Sequence, residues 1–201
     1  MKIICIGRNY AEHAKELNNP LPTEPVFFMK PDTALLTEGA FYIPDFTQNV
    51  HYECELVLRI KKVGKHIPEK FALDYVDEIG LGIDFTARDL QDSCKEKGLP
   101  WEKAKAFDHS APLGKQFIPL NKSAENISFS LEKNGQTVQV GNTRDMIFNF
   151  AQVIAYVSQF VTLRTGDYIY TGTPSGVGPV AIGDKLTGYL EGEKMFEFEV
   201  K

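Results

Sequence analysis

The sequence predicts an α+β protein that is mainly β-structure and carries a few helices. Much of the chain divides into short apolar segments bounded by glycine, proline or asparagine, which is typical of short strands. The clearest pair, 127–132 and 137–140, is joined through Asn134 and Gly135, a dipeptide typical of a two-residue hairpin turn. One long segment, 143–161, instead repeats its apolar residues at helical spacing.

The composition narrows the class of protein. The chain has 201 residues, of which 43% are hydrophobic and 24% charged, as in globular proteins with a substantial core. Its net charge of -5 and its lack of a Lys/Arg cluster argue against broad nucleic-acid binding. No apolar run of about 18 residues occurs, which argues against a membrane-spanning helix. Residues 1–201, free of repeats and linkers, are expected to form a single domain.

The cysteines bear on location. Cys5, Cys54 and Cys94 are odd in number and show no C-x-x-C spacing, so they are expected to be reduced thiols. The apolar run 2–7 is too short for the core of a signal peptide. Both observations predict a cytoplasmic location.

Two glutamates stand out in a predicted strand over 51–60. Because alternate side chains share a face, Glu53 and Glu55 project the same way, roughly 7 Å apart along the backbone, with His51 beside them. Adjacent carboxylates repel unless a positive charge lies between them, and a hard divalent cation suits carboxylate oxygens. A half-exposed strand with two solvated glutamates explains this segment equally well.

A short helix is predicted over 11–17, ended by the asparagines and prolines of 18–22. His13 and Glu16 lie three residues apart on it and therefore share a face. The pair suits a general base whose imidazole is oriented by a carboxylate. Taken alone, a chance pair on a surface helix is the favoured interpretation.

A glycine-rich strand is predicted over 78–84, closely approached by another backbone or by a ligand and ended by Asp84. Thr86 is predicted to cap the helix that follows. On that helix Leu90 and Cys94 lie on an apolar stripe.

Two later segments carry further expectations. Asn142 or Thr143 is predicted to cap the long helix 143–161, whose broad apolar face implies burial in the core. The segment 171–179 combines glycines, prolines and three hydroxyls. Such a loop can offer backbone N–H groups to an anion or serve as a tight structural crossover, and neither interpretation is favoured.

Four motifs follow one another along the chain. They are Gly7-Arg8-Asn9-Tyr10 with His13 and Glu16; His51-x-Glu53-x-Glu55; Asp84-x-Thr86-Ala87-Arg88-Asp89-x-Gln91; and Thr171-Gly172-Thr173-Pro174-x-Gly176-Val177-Gly178. In this order they resemble the fumarylacetoacetate hydrolase family, above all its short acylpyruvase and oxaloacetate decarboxylase branch. The resemblance covers nearly the whole chain and implies a mixed β-sandwich roll, usually a homodimer. It also favours the functional interpretation of each motif.

The resemblance implies a set of site residues. A magnesium or manganese ion, with calcium a possible substitute in crystals, would be held by Glu53, Glu55 and Asp84. Three carboxylates leave coordination positions open for water and substrate. The implied catalytic residues are His13, Glu16 and Lys105, and the implied substrate contacts are Arg88, Gln91, Thr173 and, more weakly, Lys30. Arg8 is expected to be structural, and His51 to support the metal ligands without binding the metal.

The implied activity is that of a metal-dependent hydrolase acting on a small 2-oxo acid. It would cleave a C–C bond of an acylpyruvate through a metal-bound pyruvate enolate, with His13 deprotonating the attacking water and Lys105 stabilising the enolate. Oxaloacetate decarboxylation and enol–keto tautomerisation use the same enolate, so both stay open. An isomerase or decarboxylase of 2-oxo or 2-hydroxy dienoates is the main alternative. A non-enzymatic domain with a structural metal is disfavoured, because Lys105 and the His13–Glu16 pair then have no purpose.

Overall fold

The computed structural model describes residues 1–16, 20–120 and 124–201, which are mostly β-structure with a few helices. The strands are β1 (Ile3–Gly7), β2 (Val26–Lys30), β3 (Leu35–Leu36), β4 (Val50–Tyr52), β5 (Cys54–Ile60), β6 (Val76–Ile83), β7 (Thr86–Ala87), β8 (Ala111–Pro112), β9 (Ile118–Pro119), β10 (Ser128–Lys133), β11 (Gln136–Asn142), β12 (Tyr168–Tyr170), β13 (Gly178–Pro179), β14 (Lys185–Leu190) and β15 (Glu193–Glu199). The helices are α1 (Ala11–Glu16), α2 (Glu69–Ala72), α3 (Arg88–Lys97), α4 (Glu102–Lys105) and α5 (Phe150–Phe160). The predicted fold class, mainly β, is confirmed; the single domain stays a prediction.

A six-stranded sheet in the order β2-β1-β12-β5-β6-β9 forms the centre of the fold. Strand β1 places Ile4 and Ile6 in the larger apolar cluster and Ile3 and Cys5 in the smaller one. The four-stranded sheet β11-β10-β14-β15 packs against the central strands β5 and β6. Both faces of β1 are therefore buried, which explains its continuous apolar sequence.

The predicted hairpin is confirmed. Asn134 and Gly135 connect β10 to β11, and both have positive φ, 55° and 78°. A type I′ turn requires that conformation at both central residues, and the dipeptide adopts it at little cost.

The long helix is shorter than predicted. Helix α5 covers Phe150–Phe160, and its first turn is closed by a capping box in which Asn149 accepts from the Gln152 backbone N–H. The Gln152 side chain accepts from the Asn149 backbone N–H in return. The predicted cap, Asn142, instead accepts from Arg144 N–H at a short 3-10 turn, so the predicted start at 143 is wrong.

The residues before α5 are held away from the helix by a distant contact. Ile147 N–H donates to the Asn9 carbonyl and Phe148 N–H donates to Asn9 Oδ1, both over 2.8 Å. Met146 has extended backbone angles. The spacing of apolar residues cannot reveal that Asn9 competes with the helix for these backbone N–H groups, because Asn9 lies far away in the sequence.

The predicted strand over 51–60 is two strands that separate at Glu53. Strand β4 pairs with β7 and β13, whereas β5 enters the central sheet beside β6. At the break, the Glu53 carbonyl accepts from Asp84 N–H over 2.8 Å. The change of sheet therefore places Glu53 next to the end of β6.

Helix α3 begins one step beyond the predicted cap. Its N-cap residue is Ala87, which has no side-chain hydrogen bond, and Thr86 instead donates to the Asp84 carbonyl. The predicted cap is therefore wrong. The buried residues of α3 are Arg88, Gln91 and Cys94, so the helix turns polar side chains inward. In the part of the chain that the structure describes, no helix is long and apolar enough to cross a membrane.

Candidate active site

Three carboxylates meet where β5 and β6 lie side by side. Glu53 precedes β5, Glu55 lies on it, and Asp84 follows β6. Their exposed fractions are 6%, 1% and 1%, and one oxygen from each lies within 4.8 Å of the others. We call these three residues the carboxylate floor. Their predicted convergence is confirmed.

The glycine-rich strand β6 allows a close approach behind this floor. A Cβ atom on Gly82 would lie 2.7 Å from the Pro112 carbonyl and 2.8 Å from the Tyr170 ring. Only glycine fits there without a shift of its neighbours. The predicted close backbone approach to this strand is confirmed.

Three buried cations surround the carboxylate floor. Lys105 Nζ lies 2.8 Å from Glu53 Oε2 and 2.7 Å from Asp84 Oδ2. Lys30 Nζ lies 2.7 Å from Asp84 Oδ1, and Arg88 pairs with Glu53 Oε1. Burial opposes the charge on Lys105, but Asp84 and Glu53 outweigh it and raise its pKa.

The two glutamates of the floor differ in their electrostatic surroundings. Burial raises the pKa of Glu53, but the charges of Lys105 and Arg88 prevail and hold it well below its usual value. For Glu55, burial and the neighbouring charges of Asp84 and Glu53 raise the pKa well above the usual value. Gly172 N–H donates to Glu55 Oε2 over 2.7 Å and opposes that shift only in part.

The floor fits a divalent cation. Lys30 directs its hydrogen bonds to the Phe85 carbonyl and to the carbonyl and hydroxyl of Ser110. Asp84 Oδ1 is buried and forms an ion pair with Lys30, but no described residue donates a hydrogen bond to it. A buried carboxylate oxygen without a donor, beside two further carboxylates, is a ligand set for a hard cation such as Mg²⁺ or Mn²⁺.

His13 and Glu16 form the predicted pair on the lid helix, as we call α1. His13 Nδ1 lies 3.1 Å from Glu16 Oε2, and His13 is buried. The Glu16 carboxylate also accepts from Gly176 N–H, at 3.0 Å to Oε1. Gly176 has φ 95°, and a Cβ there would lie 2.2 Å from the Val138 carbonyl, so this contact needs glycine. The end of the predicted helix, residue 17, lies outside the described residues.

The loop 171–179 turns its backbone N–H groups toward carboxylates of the protein itself. Gly172 donates to Glu55 and Gly176 to Glu16, so the loop connects the carboxylate floor to the lid helix. The Thr173 hydroxyl donates to the Cys54 carbonyl over 2.8 Å. The loop therefore serves as a structural connection between carboxylates of the protein, and binding of a separate anion stays a prediction.

One cavity brings most of the predicted site residues together. It is lined by Ile6, Gly7, Arg8, His13, Phe28, Glu53, Glu55, Asp84, Arg88, Gln91, Lys95, Trp101, Lys105 and Thr173. Arg88 also donates to Gln91 Oε1 over 2.6 Å, which fixes both side chains at the wall. Glu16 reaches the cavity only through His13.

Two predicted roles need correction. Lys30 does not line the cavity, because its fully buried ammonium lies against Asp84 and donates to Phe85 and Ser110. The predicted contact between Lys30 and the substrate is therefore wrong, and Lys30 instead supports Asp84 of the floor. His51 does not line it either. Its Nε2 pairs with Asn49 Oδ1 at 3.0 Å, and among the described residues His51 forms no hydrogen bond or ion pair with a floor carboxylate.

Several site residues were missed from the sequence. Gln139 is buried on β11; its Nε2 donates to Thr173 Oγ1 and the Pro174 carbonyl, and its Oε1 accepts from Cys54 N–H. It therefore fixes the loop 171–179 against the backbone between the two floor glutamates. The sequence gives only an indirect signal, because Gln139 alternates with valines along a predicted strand. In the structure the glutamine side chain is buried, whereas Val140 is 68% exposed. Lys95 and Trp101 of the cavity wall were missed as well.

Comparison with known proteins adds to this geometry. The model of the fumarylacetoacetate (FAA) hydrolase C-terminal family matches residues 2–200. The chain is 44% identical over 202 residues to the mitochondrial oxaloacetate tautomerase FAHD1 of Bos taurus, covering 99% of this chain and 91% of that protein. It is 42% identical over 198 residues to the oxaloacetate tautomerase YcgM of Escherichia coli, covering 96% and 90%. The crystal structure of fumarylpyruvate hydrolase from Pseudomonas aeruginosa, in complex with Mn²⁺ and pyruvate, matches with a TM-score of 0.92 at 38% identity, covering 100% and 89%.

Proposed function

The chain belongs to the fumarylacetoacetate hydrolase family, and from this premise we propose that it is a divalent-metal-dependent enzyme that interconverts the enol and keto forms of oxaloacetate. One observation carries the proposal: the His13–Glu16 pair and the carboxylate floor line or adjoin the same cavity. A proton-transfer group and a site for enolate charge therefore lie together. The relatives named oxaloacetate tautomerase support this reaction over the C–C hydrolysis that the resemblance placed first.

Glu53, Glu55 and Asp84 would hold the metal ion. When bound, a divalent ion supplies positive charge that stabilises an enolate. The Mn²⁺ in the related fumarylpyruvate hydrolase supports a metal of this class. Magnesium and manganese suit the three carboxylates equally well.

The buried charges suit an enolate as ligand. When the three floor carboxylates are ionised, Lys30, Arg88 and Lys105 balance them. A divalent ion then adds two positive charges to a buried site, and unbalanced charge in such a site is costly. An enolate of a 2-oxo acid, with one carboxylate and one charged oxygen, restores the balance.

His13 holds and moves the proton. Its Nδ1 faces Glu16, which leaves Nε2 without a hydrogen-bond partner among the described residues. Tautomerisation of keto oxaloacetate breaks a C3–H bond and forms an O–H bond at the C2 oxygen. His13 takes the proton from C3 and returns it to oxygen, or the reverse, while Glu16 stabilises the imidazolium. Lys105 donates to the oxygen on which charge develops.

Hydrolysis of an acylpyruvate is the second candidate, favoured by the likeness to fumarylpyruvate hydrolase. There His13 takes a proton from water, and the hydroxyl adds to the distal carbonyl. The C–C bond then breaks, its electron pair forms the pyruvate enolate, and a carboxylic acid is the second product. The same floor and the same base serve both reactions.

The decisive assay follows the ultraviolet absorbance of enol oxaloacetate as it converts to the keto form. The protein with Mg²⁺ should accelerate the decay, and chelator should abolish the acceleration. His13→Ala should lower the rate about 10²- to 10⁴-fold, the usual contribution of a general base. Glu12→Gln is the matched control, because Glu12 is exposed on the same helix and pairs with the equally exposed Lys15. Pyruvate release from acetylpyruvate without any effect on the enol decay would instead establish the hydrolase.

Three further predictions accompany this function. A homodimer stays a prediction that light scattering can check. A cytoplasmic location and the lack of nucleic-acid or membrane partners stay predictions as well.

A further inference from the structure

Two cations of the cavity wall have no ion-pair or hydrogen-bond partner among the residues that the structure describes. Arg8 and Lys95 line the same cavity as the carboxylate floor. Within the described ranges, neither side chain forms an ion pair or a hydrogen bond. The deeper cations Lys30, Arg88 and Lys105 are all paired with carboxylates. The wall cations are thus the ones free to bind an incoming anion.

The backbone places both side chains at the cavity. Arg8 follows β1 with φ 59°, a left-handed conformation that arginine seldom adopts. The next residue, Asn9, is fully buried and bonded to Phe148 and Thr171, which holds this backbone in place. Lys95 lies seven residues after Arg88 on α3 and therefore shares its face.

The two cations also act on each other. Burial, the charge of Arg88 and the charge of Arg8 lower the pKa of Lys95, against the opposite effect of Asp92 and Glu53. Like charges held near one another at the wall of a cavity favour an anion between them. A solvated pair with no ligand gains nothing from this arrangement.

We propose that Arg8 and Lys95 bind the distal carboxylate of the substrate, so that the enzyme selects 2-oxo acids with a second carboxylate, such as oxaloacetate, over those without one. The inference rests on the proposed function and extends it. The two positive charges of the metal ion that the floor would hold balance the negative charges of the 2-oxo acid end. A distal carboxylate adds a further negative charge, and the unpaired wall cations supply its counter-charge.

The test compares oxaloacetate with its 4-methyl ester, in which the distal carboxylate is neutral and the tautomerising carbons are unchanged. Lys95→Met should lower kcat/KM for oxaloacetate about 10- to 100-fold, the range of a charge-assisted contact. For the ester, kcat/KM of Lys95→Met should fall less than about 3-fold relative to wild type. Arg8→Asn, which tolerates the left-handed backbone, should act likewise, and Arg8→Lys should restore part of the preference.

Lys97→Met is the matched control, because Lys97 is exposed on the same helix and does not line the cavity. Equal losses on both substrates, or no loss on either, would overturn the proposal. Calorimetry with oxalate and Mg²⁺ distinguishes a failure of the Arg8–Lys95 assignment from a failure of the proposed function. If wild-type protein binds oxalate with Mg²⁺ but turns over oxaloacetate and its 4-methyl ester equally well, only the assignment of Arg8 and Lys95 to the distal carboxylate fails. If it neither binds oxalate nor tautomerises either compound, the proposed function fails and this assignment with it.

Discussion

The carboxylate floor and the lid helix are stabilised in opposite ways. The floor lies at the adjacent ends of β5 and β6, two paired strands of the six-stranded sheet, and its three residues are almost fully buried. The lid helix has six residues and buries only His13 and Ala14. So short a helix is marginal by itself. Its attachment to the loop through Glu16 and Gly176 is therefore a substantial part of what places His13.

The difference separates two tasks. In the proposed enzyme the floor would fix the position of the metal, because displacing its residues would disturb the central sheet. The lid helix would position the proposed proton-transfer group, His13, through a few hydrogen bonds. Changes in the floor should therefore alter metal binding and folding together, whereas changes in the lid helix should alter turnover alone.

Asp84→Asn should have the largest effect. It leaves the buried Lys30 and Lys105 without one of their carboxylates, which costs about 3 kcal/mol or more in the free energy of unfolding. It also removes a metal ligand, and Mg²⁺ affinity should fall more than about 100-fold. Urea unfolding in chelator and calorimetric titration measure the two losses. Glu78→Gln is the control on the same strand: its carboxylate is partly exposed and pairs with Arg59, so about 1 kcal/mol or less is expected.

His13→Ala should separate the two regions most clearly. The tautomerase kcat/KM should fall about 10²- to 10⁴-fold. Mg²⁺ affinity should stay within about 2-fold of wild type, because among the described residues His13 forms no hydrogen bond or ion pair with a floor carboxylate. Glu16→Gln should give a smaller loss, since it weakens the orientation of His13 and keeps the imidazole. A parallel fall in Mg²⁺ affinity would show that the lid helix and the floor are one unit.

Gln139→Ala tests the connection between the two regions. It removes hydrogen bonds to Thr173, Pro174 and Cys54, and should lower the free energy of unfolding by about 1–3 kcal/mol. Turnover should fall as well, because the loop that holds Glu16 loses its support. Gln136→Ala, on an exposed position of the same strand, should change neither property. An unfolding curve and an activity profile identical to wild type would refute the positioning role.

Glu55→Gln should give the smallest change in the stability of the metal-free protein, and this change should have the opposite sign. In metal-free protein the raised pKa of Glu55 means that its ionised form is disfavoured in the fold. Its favourable contribution is present at low pH and is lost as pH rises through that raised pKa. Glutamine still accepts from Gly172, so the variant in chelator should unfold at a higher temperature, by a margin that grows with pH. A lower unfolding temperature at every pH would contradict this expectation. The variant should also lose Mg²⁺ binding, because it lacks one of the three proposed ligands.

The sequence predicted the floor because it depends on local rules. Alternation along a strand relates Glu53 to Glu55, and the family resemblance added Asp84 and Lys105. The two glutamates remain together even though the predicted strand is broken at Glu53. The Asn134–Gly135 hairpin was predictable for the same reason, since the dipeptide itself selects the turn.

The misses share a different cause. The start of α5, the inward turn of Gln139 and the burial of Lys30 behind Asp84 all depend on partners far away in the sequence. Asn9 in particular holds residues 147 and 148 out of the helix that their apolar spacing predicts. Local patterns carry no information about such contacts, so the residues that support the site were harder to find than those that form it.

The central claim is that Glu53, Glu55 and Asp84 bind a divalent cation. Anomalous diffraction from crystals grown with Mn²⁺ and oxalate tests it directly. We expect one strong peak within about 2.0–2.3 Å of an oxygen from each of the three carboxylates, with oxalate completing the coordination. Saturating Mn²⁺ with no peak at the floor, and Lys105 still between Glu53 and Asp84, would contradict the claim.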